Sequence, residues 1–165
     1  MDSHDILTIL STELDGQGAL PWPVMALRIC GAVLLSGCIG FEREVRDRPA
    51  GLRTHMLVGL ASSCFCLLTL ELVARNFGSD VQMDPIRTIE AVTSGVAFLA
   101  AGMIVFSRGE IKGLTTGASL WLAAAVGVAA GLGVWLLAVL ATVLALFIMH
   151  LLSRFERRMQ KDDDD

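Results

Sequence analysis

GLTTGASLWLAAAVGVAAGLGVWLLAVLATVLALFIMHLLS, from Gly113 to Ser153, runs for 41 residues without one Asp, Glu, Lys or Arg. As a single helix it would be about 60 Å long, twice the ~30 Å hydrocarbon core of a bilayer. It must therefore fold back, and Gly131-Leu132-Gly133 is the place where the backbone can reverse. The chain has only 165 residues, 54% of them hydrophobic, and a mean hydropathy of +0.64. That much apolar surface cannot be hidden inside so short a chain. Its charged fraction of 18% lies below the roughly 25% of soluble domains. The apolar runs are expected to be membrane spans.

Working outward from this stretch gives five transmembrane helices. They are expected over about Pro23–Phe41, Thr54–Val73, Pro85–Phe106, Leu114–Ala130 and Gly133–Leu152. Ahead of them, Ile6, Leu7, Leu10 and Leu14 share one helical face, which suggests a short interfacial helix over Asp5–Leu14. The fold class is thus all-α, a polytopic bundle of five spans. Three segments follow: an extracytoplasmic segment 1–22, a transmembrane domain 23–153 and a charged cytoplasmic tail 154–165. Ten Lys and Arg fall on one side of this arrangement: Arg43, Arg46, Arg48, Arg53, Arg108, Lys112, Arg154, Arg157, Arg158 and Lys161. Arg75 and Arg87 fall on the other, with Arg28 inside the first span. The positive-inside rule then puts the N-terminus outside and the C-terminus in the cytoplasm. The net charge of −4 belongs to Asp162–Asp165; without them 13 bases meet 13 acids. Nothing here suggests nucleic-acid binding.

The one dense charge cluster within the oily part is GFEREVRDRPAGLRTH, Gly40–His55, with seven charged residues between two spans. On a helix continuing from the first span, Glu42 and Arg46, Arg43 and Asp47, and Glu44 and Arg48 stand four apart and can neutralise one another. Pro49 disfavours helix at Arg48, Gly51 permits a reversal, and Thr54 could cap the second span. Two readings stand. One is a salt-bridged turn with arginines on lipid phosphates. The other is a partner-binding or gating turn carried by Glu42, Arg43, Glu44, Arg48, Arg53 and His55.

Other chemistry is sparse. The middle of every expected span lacks acids and bases, whereas ion and proton routes usually need them. Mid-span hydroxyls such as Ser36, Ser62 and Ser63 are expected to bond back to their own backbone. Cys30, Cys38, Cys64 and Cys66 have no C-x-x-C spacing and read as small apolar residues. No phosphate loop and no catalytic constellation is present, so no enzyme and no cofactor is expected, and no metal site is assigned. Asp84-Pro85 reads as a helix start, and Asp84, Arg87 and Glu90 could form a polar cluster at the outer surface. Gly95, Gly102, Gly113, Gly117, Gly127 and Gly131 are expected to let helices approach closely, within one chain or across a homodimer seam.

GFERE (Gly40–Glu44) followed by RPAGLRTH (Arg48–His55) resembles the membrane domain of the MgtC/SapB family. DPIR (Asp84–Arg87), SG (Ser94–Gly95) and FLAAG (Phe98–Gly102) resemble its second block. GLTTGA (Gly113–Ala118), LW (Leu120–Trp121) and AAVG (Ala124–Gly127) resemble its third. Order and spacing agree from about Arg28 to Gly133. Ala97 and Ala100 depart from the family's usual Gly, and Ala91 from its usual Gln. The resemblance implies a multi-pass protein of the bacterial inner membrane, linked to magnesium homeostasis, growth at low magnesium, intracellular survival and virulence. It implies regulation through the lipid bilayer and a membrane partner such as the F-type ATP synthase; a divalent-cation (Mg2+) transporter or channel is the alternative. The chain ends soon after the fifth span, so the ACT-like domain of longer members is expected to be missing.

Overall fold

The structure, a computed structural model, describes residues 6–8, 18–75, 84–107 and 110–162. Five long helices appear among them: α1 (Trp22–Val45), α2 (Leu52–Ala74), α3 (Ile86–Gly102), α4 (Leu114–Gly131) and α5 (Trp135–Asp162). Between α3 and α4 lies an antiparallel hairpin of β1 (Val105–Ser107) and β2 (Glu110–Lys112), with Phe106 opposite Ile111. Of the interfacial helix expected over Asp5–Leu14, residues 6–8 are helical with Ile6 and Leu7 exposed. The rest of that stretch lies outside the described residues.

Three helices, α1, α2 and α4, are long and apolar enough to cross a membrane, and α5 adds a shorter apolar stretch, Trp135–Leu151. The fold is therefore an all-α membrane bundle, and the count of five full spans is approximate. The expected third span, Pro85–Phe106, is the one that changes most. Its helix stops at Gly102 after 17 residues, about 25 Å and short of the ~30 Å core. Phe106 belongs to a strand instead. At the other extreme, α5 does not stop near Leu152 but continues as helix to Asp162.

α1, α2 and α4 form the centre, with α5 against α1 and α4, and α3 mainly against α4. Small residues make this core. Ala32, Ala123, Ala130 and Ala138 are fully buried, as are Ser36 and Ser63. Large apolar side chains point out: Leu34, Phe41, Leu57, Phe98, Leu136 and Phe147 are all at least 60% exposed. Such an outward apolar shell would aggregate in water, and it suits a lipid solvent in which close helix packing supplies the cohesion.

Gly59 marks the tightest crossing. A Cβ there would strike Ser36 Oγ and the Ala32 carbonyl of α1. On its other side, a Cβ at Gly127 would lie 2.6 Å from the Gly59 oxygen and 2.9 Å from its Cα. One glycine thus lets α1, α2 and α4 meet. Gly131 packs likewise on Ser63 Cα at 2.9 Å, and Gly117 on the Ala100 carbonyl at 3.2 Å. The packing expectation fails at two positions. Nothing lies within 4 Å of a Cβ built at Gly95 or Gly102, because α3 stands off from its neighbours there. Gly113 is a turn residue, with φ 91° and its α face against the Met103 carbonyl.

The expected return hydrogen bonds are present at Ser36, which donates to the Ala32 carbonyl, and at Thr142, which donates to Ala138 O at 2.8 Å. Ser63 differs: its buried Oγ has no hydrogen-bond partner among the described residues. The cysteines are free, but only Cys66 is buried, while Cys30 and Cys38 face outward.

Candidate functional site

The charged turn between α1 and α2 is built by a reversal that the sequence places elsewhere. α1 ends at Val45, and Asp47 takes φ 51°. The Arg48 N–H donates to Arg43 O at 3.1 Å and the Asp47 N–H to Glu44 O at 3.1 Å. That pair of bonds closes the helix end in the Schellman pattern, with Asp47 in the position glycine usually fills. Gly51, expected to make the reversal, is extended at φ −106° and ψ −152°. Its lack of a side chain serves another purpose, because a Cβ there would overlap the Glu44 carboxylate.

The charges do not pair as the four-residue spacing suggests. Glu42 is the hub: one oxygen meets Arg43 Nε at 2.7 Å and the other meets Arg46 Nε. Arg43 does not reach Asp47, which is occupied with the reversal. The Arg43 side chain is 4% exposed, so this ion pair is packed into the bundle and loss of either partner would strand a buried charge. Glu44 does not pair with Arg48. Its Oε2 accepts the Leu52 N–H at 2.9 Å, capping the start of α2 from the preceding helix. Thr54, expected to do this, lies inside α2 and is exposed.

His55 is fully buried beneath this turn. Its Nδ1 lies 2.8 Å from Gly51 O and its Nε2 3.0 Å from Ser119 Oγ on α4. Ser119 Oγ in turn lies 2.8 Å from Thr116 O. A carbonyl sits at each end of this chain, so a neutral imidazole must donate from Nδ1 to Gly51. The single Ser119 proton then has two acceptors, His55 Nε2 and Thr116 O. Gly40 presses on the same spot, where a Cβ would be 2.7 Å from His55 Cβ and 2.9 Å from Leu52 Cα. The turn is therefore held from α1, α2 and α4 together. Arg48 and Arg53 stay exposed, and neither forms an ion pair among the described residues.

At the opposite end of the bundle the outer polar cluster is not assembled. Asp84 Oδ1 accepts the Ile86 N–H at 2.9 Å, the capping role of an Asp before Pro. Arg87 and Glu90 are exposed, and neither pairs with the other or with Asp84 among the described residues. Two charged residues away from both clusters make long-range contacts. Arg28 Nη1 donates to Gly131 O at 2.9 Å, placing a cation on the C-terminus of α4. Glu71 accepts the Ala19 and Leu20 N–H groups at 3.0 and 3.3 Å. Ser119, Arg28, Gly40 and Gly59 were not singled out as site or packing residues. Each depends on a neighbour far away in sequence, so no local spacing marks it. Among the described residues, no three His, Cys, Asp or Glu side chains gather as a metal site would require. Between α2 and α3 an apolar groove of about 940 Å³ opens, with Arg53 and Thr54 at one end and Arg87 and Thr88 at the other.

The sequence profile of the MgtC family matches residues 29–158. YhiD of Escherichia coli K12, named as a candidate magnesium transporter, is 35% identical over 134 residues, covering 81% of this chain and 62% of that protein. SrpB of Synechococcus elongatus is 32% identical over 145 residues, covering 82% and 79%. MgtC of Brucella abortus is 41% identical over 126 residues, covering 75% and 49%. The chain thus spans less than two thirds of YhiD and about half of the Brucella protein. No solved structure matches it.

Proposed function

The chain belongs to the MgtC family, and we propose that it is a non-enzymatic regulator in the bacterial inner membrane. It works in the setting of magnesium homeostasis, low-magnesium growth and intracellular survival. It acts by presenting the α1–α2 turn to a membrane partner, of which the F-type ATP synthase is the expected example. The N-terminus lies outside and the charged turn and C-terminus face the cytoplasm, since ten of the 13 Lys and Arg fall on the turn side.

One observation carries this reading. The turn divides into a buried half, Glu42, Arg43 and His55, that fixes its shape, and an exposed half, Arg48 and Arg53, that has no ion-pair partner among the described residues. A rigid scaffold with free cations at the headgroup level loses little on docking to an acidic surface. A second reading, magnesium transport, is favoured by the name of the Escherichia coli relative.

Arg53→Ala separates the two. The variant should reach wild-type membrane levels and fail to support growth in low-magnesium medium. Reconstituted wild-type protein should pass no Mg2+ into liposomes. Full complementation by Arg53→Ala would sink the docking role, and Mg2+ flux that the variant abolishes would establish the transport reading.

A further inference from the structure

The α2–α3 groove is lined by apolar side chains along its length but has a basic residue at each end. α2 and α3 run in opposite directions, so Arg53 in the first turn of α2 and Arg87 in the first turn of α3 mark its two mouths. Neither guanidinium has a hydrogen-bond or ion-pair partner among the described residues. Glu90 does not line the groove. Its floor is kept closed near the Arg87 end by a hydroxyl pair, Thr88 Oγ1 and Thr69 Oγ1 at 2.6 Å. Near mid-depth Gly95 leaves open space.

Length and volume decide what fits. From Arg53 to Leu72 the groove follows α2 for about 28 Å, nearly the whole hydrocarbon core. The groove offers about 940 Å³, on the scale of extended hydrocarbon chains. One acyl chain reaches only about half the core, ~15 Å. Anionic charge at both mouths answers the two arginines, and both mouths also carry the positive end of a helix.

We propose that this groove is a phospholipid site, holding one acyl chain from each leaflet end to end, with the two lipid phosphates on Arg53 and Arg87. α3, which packs little on α2, is then seated by lipid rather than by protein. The site shares Arg53 with the docking turn, whereas Arg87 and Gly95 line the groove outside that turn and set the two roles apart.

The test is native mass spectrometry of the full chain, released from mild detergent after exchange into phosphatidylglycerol or phosphatidylcholine. Wild type should retain two phospholipids. Arg87→Gln should weaken one of them about fivefold, the value of one headgroup-level cation, and Arg53→Gln the other. Gly95→Phe fills the groove without touching either arginine and should lose both, while Gly95→Ala, which leaves room, should keep them. Arg87→Gln should leave low-magnesium growth support by the turn intact, which keeps this test apart from that of the docking role. Equal lipid retention by wild type and Gly95→Phe would overturn the site. So would a dimer that dissociates in Gly95→Phe, because a second copy would then be the occupant.

Discussion

Gly127→Ala and Gly95→Ala make the same chemical change in two membrane helices, and the structure assigns them opposite outcomes. At Gly127 the new Cβ would lie 2.6 Å from the Gly59 carbonyl oxygen and 2.9 Å from Gly59 Cα, both backbone atoms. Ordinary contact begins near 3.4 Å, so α2 and α4 must separate by most of an ångström at their closest point. Gly59 cannot yield toward α1, because Ser36 and Ala32 already press on it. Overpacking of this kind costs about 1–3 kcal/mol. At Gly95 nothing lies within 4 Å, and alanine gains up to ~1 kcal/mol of helix propensity. Gly127 is also helical and gains the same propensity, so the gap between the variants is the overpacking cost, about 1–3 kcal/mol. Unfolding in dodecyl maltoside titrated with SDS, followed by far-UV circular dichroism, measures it. If the two variants unfold within about 0.5 kcal/mol of each other, the Gly59–Gly127 crossing is not the contact that organises this bundle.

Asp47→Gly should hold or raise stability in the same titration, whereas Asp47→Val should lower it by about 1–2 kcal/mol, since a branched residue resists the left-handed conformation. Arg28→Ala removes a charged donor from the Gly131 carbonyl and should cost about 1.5–3 kcal/mol, with no change in lipid retention by the α2–α3 groove. Single cysteines at Ser3 and Gln160 in a cysteine-free background should react with an impermeant maleimide in intact cells at position 3 only. Labelling at position 160 would invert the topology.

The membrane character of the chain was legible because it rests on composition and on one 41-residue run that no soluble fold of this size could bury. The α4–α5 reversal at Gly131–Gly133 was legible for the same reason, and Gly133 does take φ 80°. Spacing failed where tertiary contacts decide. G-x-x-x-G marks Gly127 and Gly131 correctly, yet Gly59, which has no glycine four residues away, carries the central crossing. The third span was drawn too long because Val105 and Phe106 are as apolar as helix residues; their pairing with Lys112 and Ile111 is a cross-strand fact that helical periodicity cannot register. Four-residue spacing found Glu42–Arg46 but also promised Arg43–Asp47, which the left-handed Asp47 forbids. The candidate role of the turn residues came from their charge clustering, its magnesium-linked setting from the family resemblance, and their geometry from the fold.

That geometry changes which substitutions can speak about function. Glu44 looks like a self-paired surface charge in the sequence, and its loss would then cost little. In the structure it caps α2 through the Leu52 N–H, so Glu44→Ala should cost about 0.5–2 kcal/mol and lower membrane levels along with activity. The same confusion attaches to Glu42, Arg43 and His55, each bonded inside the bundle. Arg48 and Arg53 are exposed and form no ion pair among the described residues. A growth defect in Arg53→Ala with normal membrane levels therefore reports on what the turn touches, whereas the same defect in Glu44→Ala reports first on whether α2 begins correctly. Measured side by side, normal levels in the first variant and reduced levels in the second would assign Glu44 to the fold and Arg53 to the partner.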